Sequence, residues 1–213
     1  METTPPAARG RHAPPPEVRA SLQRQRLLRA AASEFAERGY AGASSDSISR
    51  RAGMSKATFY EHFANKEECM LALFDRATEV VIESMSQAAR QLPRDDVRGR
   101  MRAATRGFLQ TLAQNPHFGQ TLLVEIIGAG PNAARRRDQL IHAFAERFDH
   151  ENAQAAQRGL INRFTSPHDA FAIIGAIIEL VSRQVRLGEP QDVLELAPVI
   201  DRLIVGMLTA SSS

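Results

Sequence analysis

At 213 residues and 43% apolar composition, the chain is long enough for one large domain or two modest ones around a packed core. The lone cysteine, Cys69, excludes an intrachain disulfide framework; with no apolar leader and no apolar run near the ~20 residues of a membrane span, a cytoplasmic protein is expected. The net charge is +3, yet residues 1–66 hold 11 basic and 6 acidic side chains and the remainder 16 and 18, which points equally to a polyanion partner at the N-terminal third or to a solvated basic face.

Ala, Leu and Arg abound, β-branched runs are short, and Trp is absent. An all-α fold is therefore expected, and the helices taken in chain order below number about nine. Residues 1–16 hold Pro5, Pro6, Pro14, Pro15 and Pro16 with almost nothing apolar, and read as a disordered arm. Arg9, Arg11 and His12 make it a candidate for a DNA minor groove, although a solvated tail is the simpler reading. A first helix is predicted from Glu17 to Arg38, with Leu27, Leu28, Ala31, Ala32 and Phe35 as one apolar stripe and Gly39 as its stop.

Residues 39–66, GYAGASSDSISRRAGMSKATFYEHFANK, carry two short helices joined by a tight turn. Ser44 is placed to cap the first, whose Ile48 and Ala52 point inward four residues apart. Gly53 supplies the positive φ of the turn and Met54 its apolar plug. Ser55 caps the second, where Phe59 and Phe63 face the core and Lys56, Ala57, Tyr60 and Glu61 project outward, with Thr58 and His62 at the flanks. This is the sequence form of a helix-turn-helix. The second helix, about 12 Å long, is short enough to enter a major groove N-terminal end first. Lys56 suits guanine or phosphate, Thr58 suits thymine and phosphate, Ala57 permits close approach, and the Tyr60 hydroxyl reaches a phosphate. Lys66 opens the next helix, where free N–H groups and its own charge favour an anion. These are the chain's only two lysines.

Together, F-A-E-R-G-Y, A-G-M-S-K-A-T-F-Y-E-H-F and N-K-E resemble the tetracycline-repressor (TetR) family over about residues 22–75. The resemblance implies a three-helix DNA-binding domain over residues 17–65 and a C-terminal helical bundle over 66–213 for ligand binding and dimerisation. It implies that Lys56, Ala57, Thr58 and Tyr60 face bases and backbone, and that Ser44, Ser45, His62 and Lys66 mainly hold phosphates. Ala43 stands where the family usually has Thr, Ser45 where it has Val or Met, Ser49 where it has Ala, and Ala57 where Gly is commoner. The implied function is operator binding as a dimer, with repression released by a small apolar effector.

Behind the motif, long helices are predicted over 66–91, 95–114 and 132–160, with a shorter one over 116–127. The last two, over 168–187 and 193–208, are the candidate dimer interface. The first of them carries Ala170, Phe171, Ile174, Ile177, Ile178 and Val181 on one side and Ile173, Ala176 and Leu180 on another; so wide an apolar surface needs cover on most sides. Phe108, Leu112, Phe118, Leu122, Phe144 and Phe171 are candidates for an effector pocket, though each is a residue type that equally serves as core. His142, Glu146 and His150 share one helical face, but without a fourth ligand they read as a solvated face. No metal, cofactor or catalytic motif is expected, so the chain is not read as an enzyme. The competing function is a helical DNA-binding adaptor or architectural protein whose C-terminal bundle binds a protein.

Overall fold

The computed structural model describes residues 15–209, so the predicted arm lies almost wholly outside the described residues. Nine α-helices and no strands occur among the described residues. Helix α1 runs Pro16–Gly42, opening on a proline that needs no N–H partner at the first helical position. Leu27, Leu28, Ala31 and Phe35 are buried on one face of it. At Gly39 the backbone leaves the helix (φ 69°, ψ 164°), as the predicted stop requires, but one further turn follows to Gly42.

Helix α2, Ser45–Arg51, packs on α1, and α3, Lys56–His62, packs on α2; Ile48, Phe59 and Phe63 are all essentially inaccessible. Helix α4, Lys66–Arg90, then leads away with Cys69, Met70, Leu73, Phe74, Ala77 and Val81 inward. It pairs along its length with α5, Val97–Gln114, where the Ser84 hydroxyl donates to the Gly107 carbonyl at 3.1 Å.

The segment predicted as one short helix is irregular. One turn of α6, Pro116–Gly119, widens into a π-helical turn over Gln120–Val124 and tightens into a 3-10 turn over Glu125–Gly128. This stretch touches α1, α4 and α7, Pro131–Gln157. The connection after α7 is anchored by buried Asn152. Its amide donates to the Asn162 carbonyl at 2.9 Å, and its carbonyl accepts from the Phe164 N–H and from Arg163.

Helix α8 spans Asp169–Leu187, and a 3-10 turn at Val193–Leu196 feeds α9, Ala197–Thr209. On α8 the face turned into the chain is Ala170, Ile173 and Val181. Phe171, grouped with that face from periodicity, is 44% exposed, while Ile174, Ile177 and Ile178 are half-buried. A helix apolar over most of its circumference does not reveal from sequence which face its own chain covers. No helix among the described residues is long and apolar enough to cross a membrane.

Candidate nucleic-acid interface

The helix-turn-helix is held by local hydrogen bonds that its sequence encodes. The Ser44 hydroxyl accepts from the Ser47 N–H at 3.1 Å, and the Ser47 hydroxyl accepts from the Ser44 N–H at 3.0 Å, so two donors at the start of α2 are satisfied reciprocally. Ser49, buried where a small apolar residue was expected, donates to the Ser45 carbonyl at 2.6 Å and so brings no unpaired hydroxyl into the core. Gly53 takes φ 65° in the turn, and Met54 is half-buried beneath it. The Ser55 hydroxyl accepts from the Thr58 N–H at 3.1 Å and opens α3.

This frame leaves a polar row outward. Lys56, Ala57 and Glu61 are exposed, Tyr60 is 50% exposed, and Thr58 is half-buried at the flank. The Tyr60 ring packs edge-on to Phe59 at 5.5 Å between centroids, which fixes its direction without covering it. Ser44 and Ser45 border the start of α2, exposed and half-exposed respectively.

Two residues expected among the phosphate contacts are turned inward. The Lys66 ammonium donates to the carbonyls of Tyr40 at 2.6 Å and Ala43 at 2.9 Å, and lies 4.1 Å from the centroid of the Tyr40 ring. Burial pulls its pKa below the ordinary lysine value. The kink at Gly39 brings these carbonyls over the start of α4, and they capture the amine that helix-terminus reasoning assigned to an anion. His62 likewise has its Nε2 buried without a hydrogen-bond partner, its ring lying 6.4 Å from that of Phe63.

Other charged side chains brace the motif from behind. Glu34 is 3% exposed at its side chain and accepts from Arg51 Nε at 2.7 Å; Arg51 also pairs with Glu37. Burial pushes the Glu34 carboxyl up, but the neighbouring Ser47 hydroxyl, the bond from Arg51 and the charges of Arg38 and Arg51 together bring it below the usual carboxylate value. Arg26 donates to the Ala52 carbonyl at 2.8 Å, and Arg24 stands 5.1 Å above the Phe63 ring. The available signal for Glu34 was its spacing three residues after Ala31, on the apolar stripe. Cys69 is buried, which pushes its thiol up to about 12 and leaves it protonated and unreactive at neutral pH.

A model of the bacterial regulatory proteins of the tetR family matches residues 27–73, the stretch that contains this entire motif. Over those residues the chain is similar to the DNA-binding domain of the TetR family. It is 37% identical over 103 residues to the HTH-type transcriptional activator FasR of Mycolicibacterium smegmatis, a match covering 48% of this chain and 46% of that protein. The chain thus spans about half the length of that curated relative. Among solved structures, the fatty acid degradation regulator FadR of Bacillus halodurans superposes with TM-score 0.78 at 18% identity, covering 94% of this chain and 100% of that one. FadR of Bacillus subtilis, in complex with stearoyl-CoA, gives TM-score 0.74 at 19% identity, covering 88% and 99%. At such identities these structures share their overall fold with this chain.

The six candidate pocket residues are dispersed in their environments. Leu112 and Leu122 are buried, Phe108 and Phe118 are partly buried against the core, Phe144 is half-buried, and Phe171 is exposed. Phe171 lies 5.2 Å from the His142 ring, at the mouth of a groove between α7 and the start of α8. Of His142, Glu146 and His150, the first two line that groove, while His150 Nε2 is 2.8 Å from the Gln154 amide. No cluster of three metal-ligating side chains occurs among the described residues.

Proposed function

We propose that this chain is a dimeric, one-component transcriptional regulator, not an enzyme, that reads a pseudo-palindromic operator through α3 and acts in the cytoplasm. The observation that carries the reading is the outward row Lys56, Ala57 and Tyr60 on a helix whose opposite side, Phe59 and Phe63, is fully locked into the core. In this reading residues 17–65 are the DNA-binding domain and 66–213 the ligand-binding and dimerisation domain. Lys56, Ala57 and Thr58 meet bases. Ser44, Ser45 and Tyr60 meet phosphates, and His62 and Lys66 act from behind by holding the motif in shape.

The apolar surface left open over about residues 168–208 supports dimerisation there. Phe171, Leu187 and Val199 are exposed, and a side chain added at Gly175 or Gly206 would meet nothing within 4 Å, so a second helix has room to approach. Such a dimer must hold its two α3 helices about 34–36 Å apart to read one face of a duplex. An apolar effector within the C-terminal bundle that favours another separation lowers operator affinity by its differential affinity for the two states. The stearoyl-CoA bound by the Bacillus subtilis FadR supports an acyl chain as the class to try first. Repression is the proposed output.

Selection from random duplexes at fixed salt tests the reading. Enrichment of one pseudo-palindrome is expected; binding without enrichment rejects sequence-specific regulation. Transcription from a promoter carrying the selected sequence, with and without the protein, separates repression from activation.

A further inference from the structure

A groove of about 490 Å³ opens between α1 and the first turn of α3, with Arg19, Gln23, Arg26, Gly53, Ser55 and Thr58 in its walls and no acidic side chain among its lining residues. We propose that this groove seats a phosphate of the DNA backbone flanking the base contacts, with Arg19 and Arg26 as its cationic donors. The inference rests on the reading that α3 enters the major groove.

Three observations carry it. First, α1 begins at Pro16, yet its first buried residue is Leu27. The preceding stretch projects about 16 Å at 1.5 Å per residue, and only Gln23 in it is more than superficially covered. Helix without a packed face has little to stabilise it in isolation, so this extension gains from a partner. Second, the arginines are unneutralised. Among the described residues no carboxylate lies within 4 Å of Arg19, Arg24, Arg26 or Arg29, whereas Arg38, Arg50 and Arg51 in the same unit are each ion-paired. Arg26 is also pre-positioned: one nitrogen donates to the Ala52 carbonyl, which leaves the rest of its donor fork over the turn. Third, Ser55 and Thr58 belong to both the groove and the first turn of α3. In a helix-turn-helix that end lies nearest the bases, and the adjoining backbone must pass close to it. Arginine's planar fork is matched to a phosphate at such a place.

The test measures affinity against salt for the full chain on its selected operator. Neutralising one phosphate contributes about 0.9 to the slope of log K against log salt. Arg19→Ala should lower the slope by about that amount and weaken operator and random duplex alike. Arg94→Ala, exposed on the α4–α5 connection, should change neither. Shortening the operator's flanks by half a helical turn should reduce the slope of the wild-type chain, and that of Arg19→Ala by less. Because Arg26 also holds the turn, Arg26→Ala is read beside its thermal unfolding; Arg19→Ala carries the decision. An unchanged slope in a wild-type-stable Arg19→Ala, with the wild-type chain still selecting its palindrome, overturns this inference alone. A wild-type chain that binds no duplex overturns the major-groove reading and this one together.

Discussion

Replacing Lys66 by Met distinguishes a residue that grips DNA from one that shapes the grip. In the structure its ammonium donates to the Tyr40 and Ala43 carbonyls at 2.6 and 2.9 Å and stands 4.1 Å from the Tyr40 ring centroid. A hydrogen bond from a charged donor contributes about 1.5–3 kcal/mol and a cation–π contact about 0.5–2 kcal/mol. Lys66 is only half-buried, so solvent screening lowers both figures, and Met recovers part of the packing of the lysine stem. A net loss of about 2–3 kcal/mol is expected, which for a chain of this size lowers Tm by roughly 4–12 °C. Thermal unfolding followed by circular dichroism reads this directly. The salt slope of operator binding, measured well below the lowered Tm, should not change, because no phosphate contact has been removed. The opposite pair of results, an unchanged Tm and a slope reduced by about one unit, refutes the reasoning and returns Lys66 to the DNA surface.

Tyr60→Ala should lower operator affinity about tenfold, equivalent to about 1.4 kcal/mol, without loss of the dimer; wild-type affinity removes Tyr60 from the interface. Glu34→Gln breaks the buried pair with Arg51 and should destabilise the N-terminal unit by about 2–4 kcal/mol, measured by chemical denaturation. Because the folded Glu34 pKa lies below its ordinary value of 4.5, the stability it contributes is complete above that pH and is lost as pH falls through the folded value; Glu34→Gln should flatten that acid limb, and an identical limb in the variant argues against the pair. A chain ending at residue 165 should be monomeric by light scattering, and a stable dimer places the interface elsewhere. Glu125→Ala should speed hydrogen exchange at the Tyr40 amide, which the carboxylate now holds at 2.6 Å; unchanged protection means another group shields it.

The parts of the motif legible from sequence are those decided within a few residues. Ser44 and Ser55 are caps, Gly53 is a turn, and Phe59 and Phe63 share a face, all from spacing alone. What escaped sequence reading depends on atoms distant along the chain. Lys66 has the residue type and helix position of an anion ligand, and only the fold reveals two carbonyls across from it. Glu34 reads as a polar interruption until Arg51 is brought over it from α2. The predicted helix over 116–127 has sound boundaries, but nothing local marks its change from α to π to 3-10 geometry. For Phe171, periodicity established an apolar helix but not the side its own chain covers.

These long-range contacts converge on one residue. The Tyr40 N–H is held by Glu125 from the irregular segment at 2.6 Å, and the Tyr40 carbonyl is held by Lys66 from α4 at 2.6 Å. Glu125 is steadied in turn by the Gln120 amide at 2.8 Å, and Glu67, next to Lys66, accepts from the backbone and side chain of Asn132 at the start of α7. Tyr40 directly precedes the turn that leads into α2, so a shift of residues 116–128 within the C-terminal bundle either breaks the Glu125 bond or carries the helix-turn-helix with it. The strength of that bond bounds what this route transmits. One hydrogen bond to a charged acceptor is worth about 1.5–3 kcal/mol. A conformational signal passing through it alone can therefore change operator affinity by roughly 10- to 150-fold and no more. A larger effect requires α4 to move as well, and α4 packs against both α1 and the π-helical turn.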